Sequence, residues 1–90
     1  MVLGKVAGTI WATRKDEDLV GMKLLIVKHV GLDYTTKDTF IVAVDTVQAG
    51  VGDVVLVTSG SSARQTAQTK NKPVDAVIVA VVDKLDVSGS

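Results

Sequence analysis

The feature that most constrains the fold of this chain is a succession of short apolar segments separated by glycine-rich or small-residue turns. In the second half these segments span Thr39–Val47, Val54–Thr58 and Val74–Asp83. Valine and isoleucine dominate them, and β-branched residues favour strands. Because the segments do not alternate with long helices, the pattern predicts an all-β domain rather than an α/β one.

The first half adds two more predicted strands. Val2–Thr13 alternates between a small or apolar face and a more polar face, and Lys23–Val30 carries a continuous apolar run. Gly31–Asp38 is polar and is predicted as a turn. Short strands are best protected from edge-to-edge aggregation when their sheet closes on itself. We therefore predict an all-β fold, a small five-stranded OB-like β-barrel with one short helix. A small sandwich is the alternative.

The predicted helix lies between the fourth and fifth strands. Alanine and glutamine in Ser61–Thr69 favour a helix, and Ser61 or Ser62 is positioned to cap its N-terminus. The chain of 90 residues has the length of one domain. We place a single barrel domain at residues 1–83 and a polar C-terminal tail at residues 84–90.

The composition indicates a subunit that associates with other chains. Hydrophobic residues make up 47% of the sequence and the mean hydropathy is +0.35. A chain of this size buries only about 60–65% of the surface that its unfolded form exposes. Apolar area that one small core cannot hold is most easily buried between subunits.

Charge and residue usage exclude several classes of protein. Lys and Arg number 10 and so do Asp and Glu, whereas a nucleic-acid module carries a basic excess. The three aromatic residues are too scattered for a base-stacking platform. There is no cysteine, no basic leader and no apolar run near the ~20 residues that span a bilayer. These features predict a soluble protein of a reducing cytoplasm that binds neither nucleic acid nor membrane.

Candidate catalytic groups are few. His29 is the single histidine, so a metal site or a nucleophile–base pair lacks its further members. Asp45 and Asp75 lie where the strand pattern predicts partial burial. The enzymatic alternative is an acid pair formed by these two residues, or a hydrolase or isomerase that uses one of them with His29. The favoured prediction is that the chain is not an enzyme and has no catalytic, metal or cofactor site.

Two glycine-containing turns invite a ligand-binding interpretation. Gly50-Val51-Gly52-Asp53 lacks the Lys-Ser/Thr pair of a phosphate loop and is followed by a strand, so a tight turn is favoured. Gly60–Arg64 is either an anion nest at a helix N-terminus or a capped helix start that exposes small side chains to a neighbouring subunit. The second interpretation is favoured.

These motifs, taken in order, resemble those of the EutN/CcmL family, whose members form the pentameric vertices of bacterial microcompartment shells. The matching segments are Leu3–Thr9, Gly21–Val27, Val44–Val47, Ala49–Leu56, Gly60–Arg64 and Pro73–Ala76. One departure is Gln48, where the family more commonly has glycine. The resemblance implies an OB-like barrel that forms homopentamers in the bacterial cytoplasm, closing shells tiled by hexameric shell proteins.

The resemblance also implies where the contacts lie. A contact with neighbouring hexamers is expected at Ser61, Ser62, Ala63 and Arg64. A turn near the fivefold axis is expected at Ala49, Gly50, Val51 and Gly52. The apolar run Leu24–Val27 is expected to contribute to subunit packing. The alternative function is an OB-like module that binds an anion or single-stranded nucleic acid at the Ser61–Arg64 turn.

Overall fold

The chain forms a closed β-barrel. The computed structural model describes residues 1–11, 21–60, 63 and 75–88. Within them the strands are β1 (Val2–Ile10), β2 (Lys23–Val30), β3 (Thr36–Asp45), β4 (Val54–Ser59) and β5 (Ala76–Val81). They close in the order β1-β2-β3-β5-β4, with β3 and β5 parallel and every other pair antiparallel. The prediction of an all-β, five-stranded barrel is confirmed. Apart from Ala63, the predicted helix lies outside the described residues.

The strand β3 begins three residues earlier than predicted, inside the stretch interpreted as a turn. Thr36 pairs with Val30 across the β2–β3 hairpin, so the connection shrinks to a short turn. In that turn the N–H of Gly31 donates to the Thr35 carbonyl at 3.0 Å, and Tyr34 adopts a φ of 68°. The residues that follow are exposed and polar, so they show no apolar alternation, and strand pairing alone extends β3 through them.

The barrel interior is filled by aliphatic side chains from every strand. The buried members are Val6, Leu25, Val27, Ala43, Ala49, Val55, Val57, Ala76 and Ile78. Alternate residues of β1 and β2 point inward, as the period of two predicts. Gly4 is required by close packing, because a Cβ at that position would overlap the Cγ1 of Val27.

A second, smaller apolar cluster lies on the outer surface of the sheet. Val44, Val77 and Ala63 are its buried members, and Met22 and Leu24 pack against them from the side. The sheet is therefore covered on both faces around the ends of β2, β3 and β5. This explains why Leu24 and Leu25, which point to opposite faces, are both apolar.

Candidate functional site

The loop between β3 and β4 is organised by the carboxylate of Asp45. This residue ends β3, and its side chain is only 2% exposed. One carboxylate oxygen, Oδ1, accepts hydrogen bonds from the backbone N–H groups of Val47 at 3.0 Å and Ala49 at 3.1 Å. A buried carboxylate requires such donors, and these two bonds hold the first half of the loop against the end of the barrel.

Lys23 closes the same loop from the neighbouring strand. It pairs with Asp45 across β2 and β3, and its Nζ donates to the Ala49 carbonyl at 3.0 Å. The Lys23 ammonium also lies 3.9 Å from Asp45 Oδ2. Because the Lys23 side chain is half exposed, the ion pair itself contributes no more than about 1 kcal/mol. The backbone amides are thus the main partners of the Asp45 carboxylate.

The second half of the loop is a tight turn, as predicted. The N–H of Asp53 donates to the Gly50 carbonyl at 3.0 Å, and Gly52 has a φ of 95°, the left-handed value that a type II turn needs at its third position. The N–H of Gly50 donates to Asp53 Oδ2 at 2.8 Å. This amide is therefore occupied by a carboxylate, which argues against a phosphate site here.

Backbone hydrogen bonds join this turn to β1. The N–H of Gly52 donates to the Val6 carbonyl, and the N–H of Val6 donates to the Asp53 carbonyl, both at 2.9 Å. At the apex Val51 is 68% exposed, whereas Ala49 is buried. The turn predicted to lie near a fivefold axis is thus a rigid element that presents one apolar side chain to solvent.

Gln48 adopts a conformation that is unusual for its residue type. Its φ is 59°, in the left-handed region where residues with a Cβ are strained. Glycine adopts this backbone angle without strain, which fits the glycine that the resemblance implied for this position. Gln48 borders a cleft of about 370 Å³, whose other described lining residues are Gly21, Met22, Lys23, Val44, Asp45 and Thr46.

Only part of the predicted hexamer contact falls within the described residues. Ala63 is completely buried and packs in the outer cluster with Val44 and Val77. Just before this segment Gly60 has a φ of 65°, and its N–H donates to the Asp75 carbonyl at 2.8 Å. Ser61, Ser62 and Arg64 lie outside the described residues.

The structure does not bring His29 and Asp45, two residues of the enzymatic alternative, together. His29 lies six positions along β2 from Lys23, the partner of Asp45, which corresponds to about 20 Å at about 3.3 Å per residue. The Nδ1 of His29 lies 2.9 Å from the hydroxyl of Thr39. Asp45 is buried as predicted, but Asp75 is exposed and that prediction is wrong, because β5 begins only after it.

The residues that the structure describes hold no cluster of three or more His, Cys, Asp or Glu side chains suited to a metal ion. Among them, no helix is long and apolar enough to cross a membrane.

Comparison with known proteins identifies the family. The profile described as "Ethanolamine utilisation protein EutN/carboxysome" matches residues 1–83. The chain therefore belongs to the EutN/CcmL family, as the motifs suggested. It is 43% identical to the bacterial microcompartment shell vertex protein GrpN of Rhodospirillum rubrum over 96% of this chain and 97% of that protein. It is 40% identical to the carboxysome shell vertex protein CcmL of Thermosynechococcus vestitus, over 92% and 84% of the two chains.

Solved structures agree with the sequence relatives. The GrpN pentameric microcompartment shell protein from Rhodospirillum rubrum superposes with a TM-score of 0.88 at 42% identity, covering 97% of this chain and 99% of that one. Gloeobacter violaceus CcmL superposes with a TM-score of 0.92 at 35% identity, covering 98% and 91%. The family consists of structural shell vertex proteins rather than enzymes, so the comparisons support the vertex prediction over the anion- or nucleic-acid-binding module.

Proposed function

We propose that this chain forms the pentameric vertex of a bacterial microcompartment shell in the cytoplasm, where it borders hexameric shell proteins. The observation that carries the proposal is the superposition on GrpN, a pentameric shell protein, over nearly the whole of both chains. A flat hexagonal layer closes into a polyhedron only where fivefold corners are inserted. A neutral, apolar-rich chain suits such a corner, because weak charge repulsion favours assembly.

Native mass spectrometry of the purified protein tests the ring. We expect a dominant species of five chains. Co-expression with a hexameric shell protein then tests the vertex: shells should close with the chain present and remain elongated or unsealed without it, as seen by electron microscopy. A species that stays monomeric at every concentration, together with shells that close without the chain, would contradict the proposal.

The proposed hexamer contact is the Ser61–Arg64 segment. Ala63 is completely buried against Val44 and Val77, so its side chain does not itself face a neighbouring hexamer; it anchors the segment to the barrel at that position. Arginine suits such a contact, since its planar guanidinium donates two parallel hydrogen bonds to carboxylates or carbonyl groups.

Arg64→Ala tests this contact. We expect the free pentamer to persist and incorporation into co-expressed shells to fall, measured as the ratio of vertex to hexamer protein in purified shells. Lys84→Ala removes an exposed positive charge from the tail and serves as the control. Equal incorporation of the two variants would show that the contact lies elsewhere.

The proposed fivefold-axis turn is Ala49–Gly52. Its support is the rigid, hydrogen-bonded turn that holds Val51 68% exposed, since an exposed apolar side chain on a fixed turn suits a contact between copies. The chain has no cysteine, so Val51→Cys introduces a unique thiol. Thiols near a fivefold axis should form disulfides between copies on oxidation. Leu32→Cys, in the β2–β3 turn, is the exposed control, and equal cross-linking of both would reject the placement.

A further inference from the structure

The C-terminal tail remains attached to the barrel after β5 ends. The N–H of Val82 donates to the Val54 carbonyl at 2.7 Å, which extends the pairing of β5 with the start of β4. Three residues later, the N–H of Leu85 donates to the hydroxyl of Tyr34 at 3.1 Å. Residues 82–85 therefore join two parts of the barrel, the start of β4 and the β2–β3 turn. They are called the strap below.

The strap passes β1 on its way between these two points. In the closed order of strands, β1 lies between β4 and β2. Lys5 of β1 pairs with Val54, and the adjacent Gly4 pairs with His29, one residue before β2 ends. On the other side of the barrel, β5 pairs only with the last two residues of β3, far from the β2–β3 turn. The path across β1 is therefore the short one.

The turn that carries Tyr34 is held by its own hydrogen bonds. The N–H of Gly31 donates to the Thr35 carbonyl, and the N–H of Tyr34 donates to the Gly31 carbonyl, both at 3.0 Å. The N–H of Thr35 donates to Asp33 Oδ1 at 3.1 Å. Tyr34 has a φ of 68°, a left-handed value that a bulky residue rarely adopts. Such strain persists where the surrounding contacts fix it, and it points to a role for the side chain placed there.

Burial along the tail marks the same point of attachment. Among residues 83–88, Leu85 is half-buried and the others are exposed. A tail that left the barrel at Val82 would expose all of these residues alike. Leu85 is therefore held both by its backbone N–H and by part of its side chain.

We propose that residues 82–85 form a strap that opens and closes about Val82, and that Tyr34 is the latch that holds it closed. Beyond Val82, the described residues hold the strap through one hydrogen bond and one half-buried side chain. So few contacts allow the strap to open while the barrel stays folded. The closed strap keeps the last residues of the chain beside the β2–β3 turn, and opening frees them from the barrel. This inference goes beyond the vertex function and concerns contacts within a single chain.

Amide hydrogen exchange, followed by nuclear magnetic resonance, tests the latch. Tyr34→Phe removes the hydroxyl that accepts the Leu85 N–H and keeps the aromatic ring. The Leu85 amide should be protected in the wild-type protein and should exchange roughly fivefold faster in Tyr34→Phe, as expected for the loss of one neutral hydrogen bond. Leu32→Ala changes an exposed side chain of the same turn and should leave the Leu85 exchange rate unchanged. An equal rate in the wild-type protein and Tyr34→Phe would refute the latch.

A spin label tests the strap without any change in the turn, so the test stays valid if Tyr34→Phe fails to fold. The chain has no cysteine, and Asp86→Cys gives a unique thiol next to Leu85 for a nitroxide. The closed strap should broaden the amide signals of the β2–β3 turn and leave those of Met22 and Lys23, at the other end of β2, sharp. Diluting the labelled, isotope-enriched chain into unlabelled chains restricts the broadening to contacts within one chain.

The outcomes separate the strap from its latch and from the proposed function. Equal broadening at both ends of β2, or none, would refute the strap. Selective broadening that Tyr34→Phe leaves unchanged would keep the strap and refute Tyr34 as its latch. A wild-type protein that forms no ring of five would refute the vertex function alone, because both measurements report on contacts within one chain.

Discussion

Replacing Asp45 by alanine removes the carboxylate that organises the β3–β4 loop. Its side chain is 2% exposed and accepts the N–H groups of Val47 and Ala49 at 3.0 and 3.1 Å. A hydrogen bond to a charged group contributes about 1.5–3 kcal/mol to stability. Because Val47 is half-exposed, water can accept the hydrogen bond that its backbone N–H loses. We therefore expect Asp45→Ala to lower the free energy of unfolding by about 2–4 kcal/mol.

Such a loss is large for a domain of 90 residues. A change of about 1 kcal/mol moves the midpoint of thermal unfolding by about 4–8 °C in domains of this size, so the midpoint should fall by about 10 °C or more. The assay is thermal unfolding followed by circular dichroism at one fixed protomer concentration, because association of chains raises the apparent stability.

Two variants control this prediction. Asp45→Asn keeps an oxygen acceptor without the charge. It should lower the free energy of unfolding by less than Asp45→Ala does. Asp86→Ala removes an exposed carboxylate from the tail and should change the free energy of unfolding by less than about 0.5 kcal/mol. If Asp45→Ala unfolded at the same temperature as Asp86→Ala, the loop would not depend on the Asp45 carboxylate and the reasoning would be refuted.

Three further predictions concern local geometry. Gln48→Gly should raise the free energy of unfolding, measured by chemical denaturation, by about 0.5 kcal/mol. The reason is that relief of about 1–2 kcal/mol of left-handed backbone strain exceeds the entropic cost of glycine. Gln48→Ala keeps a Cβ and should not raise the free energy of unfolding. Gly4→Ala should lower the free energy of unfolding by about 1–3 kcal/mol, because the added Cβ overlaps Val27. An unchanged free energy of unfolding would show that the barrel rearranges to accept the methyl group. The Thr35 hydroxyl and backbone N–H donate to Asp33 and lower the pKa of its carboxyl below the usual value of about 3.9. The stability that these hydrogen bonds add to the folded state is fully present above about pH 3.9. It is lost as the pH falls through the lower folded-state pKa of Asp33. Nuclear magnetic resonance titration of Asp33 should show the low midpoint, and Thr35→Ala should raise it towards the usual value.

The proposed vertex function places different demands on different parts of the barrel. The interior must be stable, and its core is closed by all five strands. The outer surface exposes the apolar side chains of Phe40 and Val42, which association with other chains would remove from water. An isolated chain of this kind exposes apolar surface to water, and assembly buries part of that surface.

The alternating residues of the sequence could be assigned to faces without the structure. The small and apolar face of β1 that holds Val6 follows from the period of two, and Gly52 follows from its place in a short turn between strands. The continuous apolar run of β2 left open which of its side chains point inward. One histidine and no cysteine leave few candidate catalytic groups in the sequence. These features are local, because backbone sterics and side-chain period act over a few neighbouring residues.

Contacts between residues far apart in the chain were decided only by the tertiary structure. The early start of β3 depends on pairing with β2, and the closure of the barrel depends on a parallel contact in which Val44 meets Val77. Asp45 and Asp75 looked equivalent in the sequence, yet one is buried against backbone amides and the other is exposed. Sequence alone determined which side chains alternate, whereas long-range hydrogen bonding determined which surfaces they form, since pairing partners are not encoded in a local pattern.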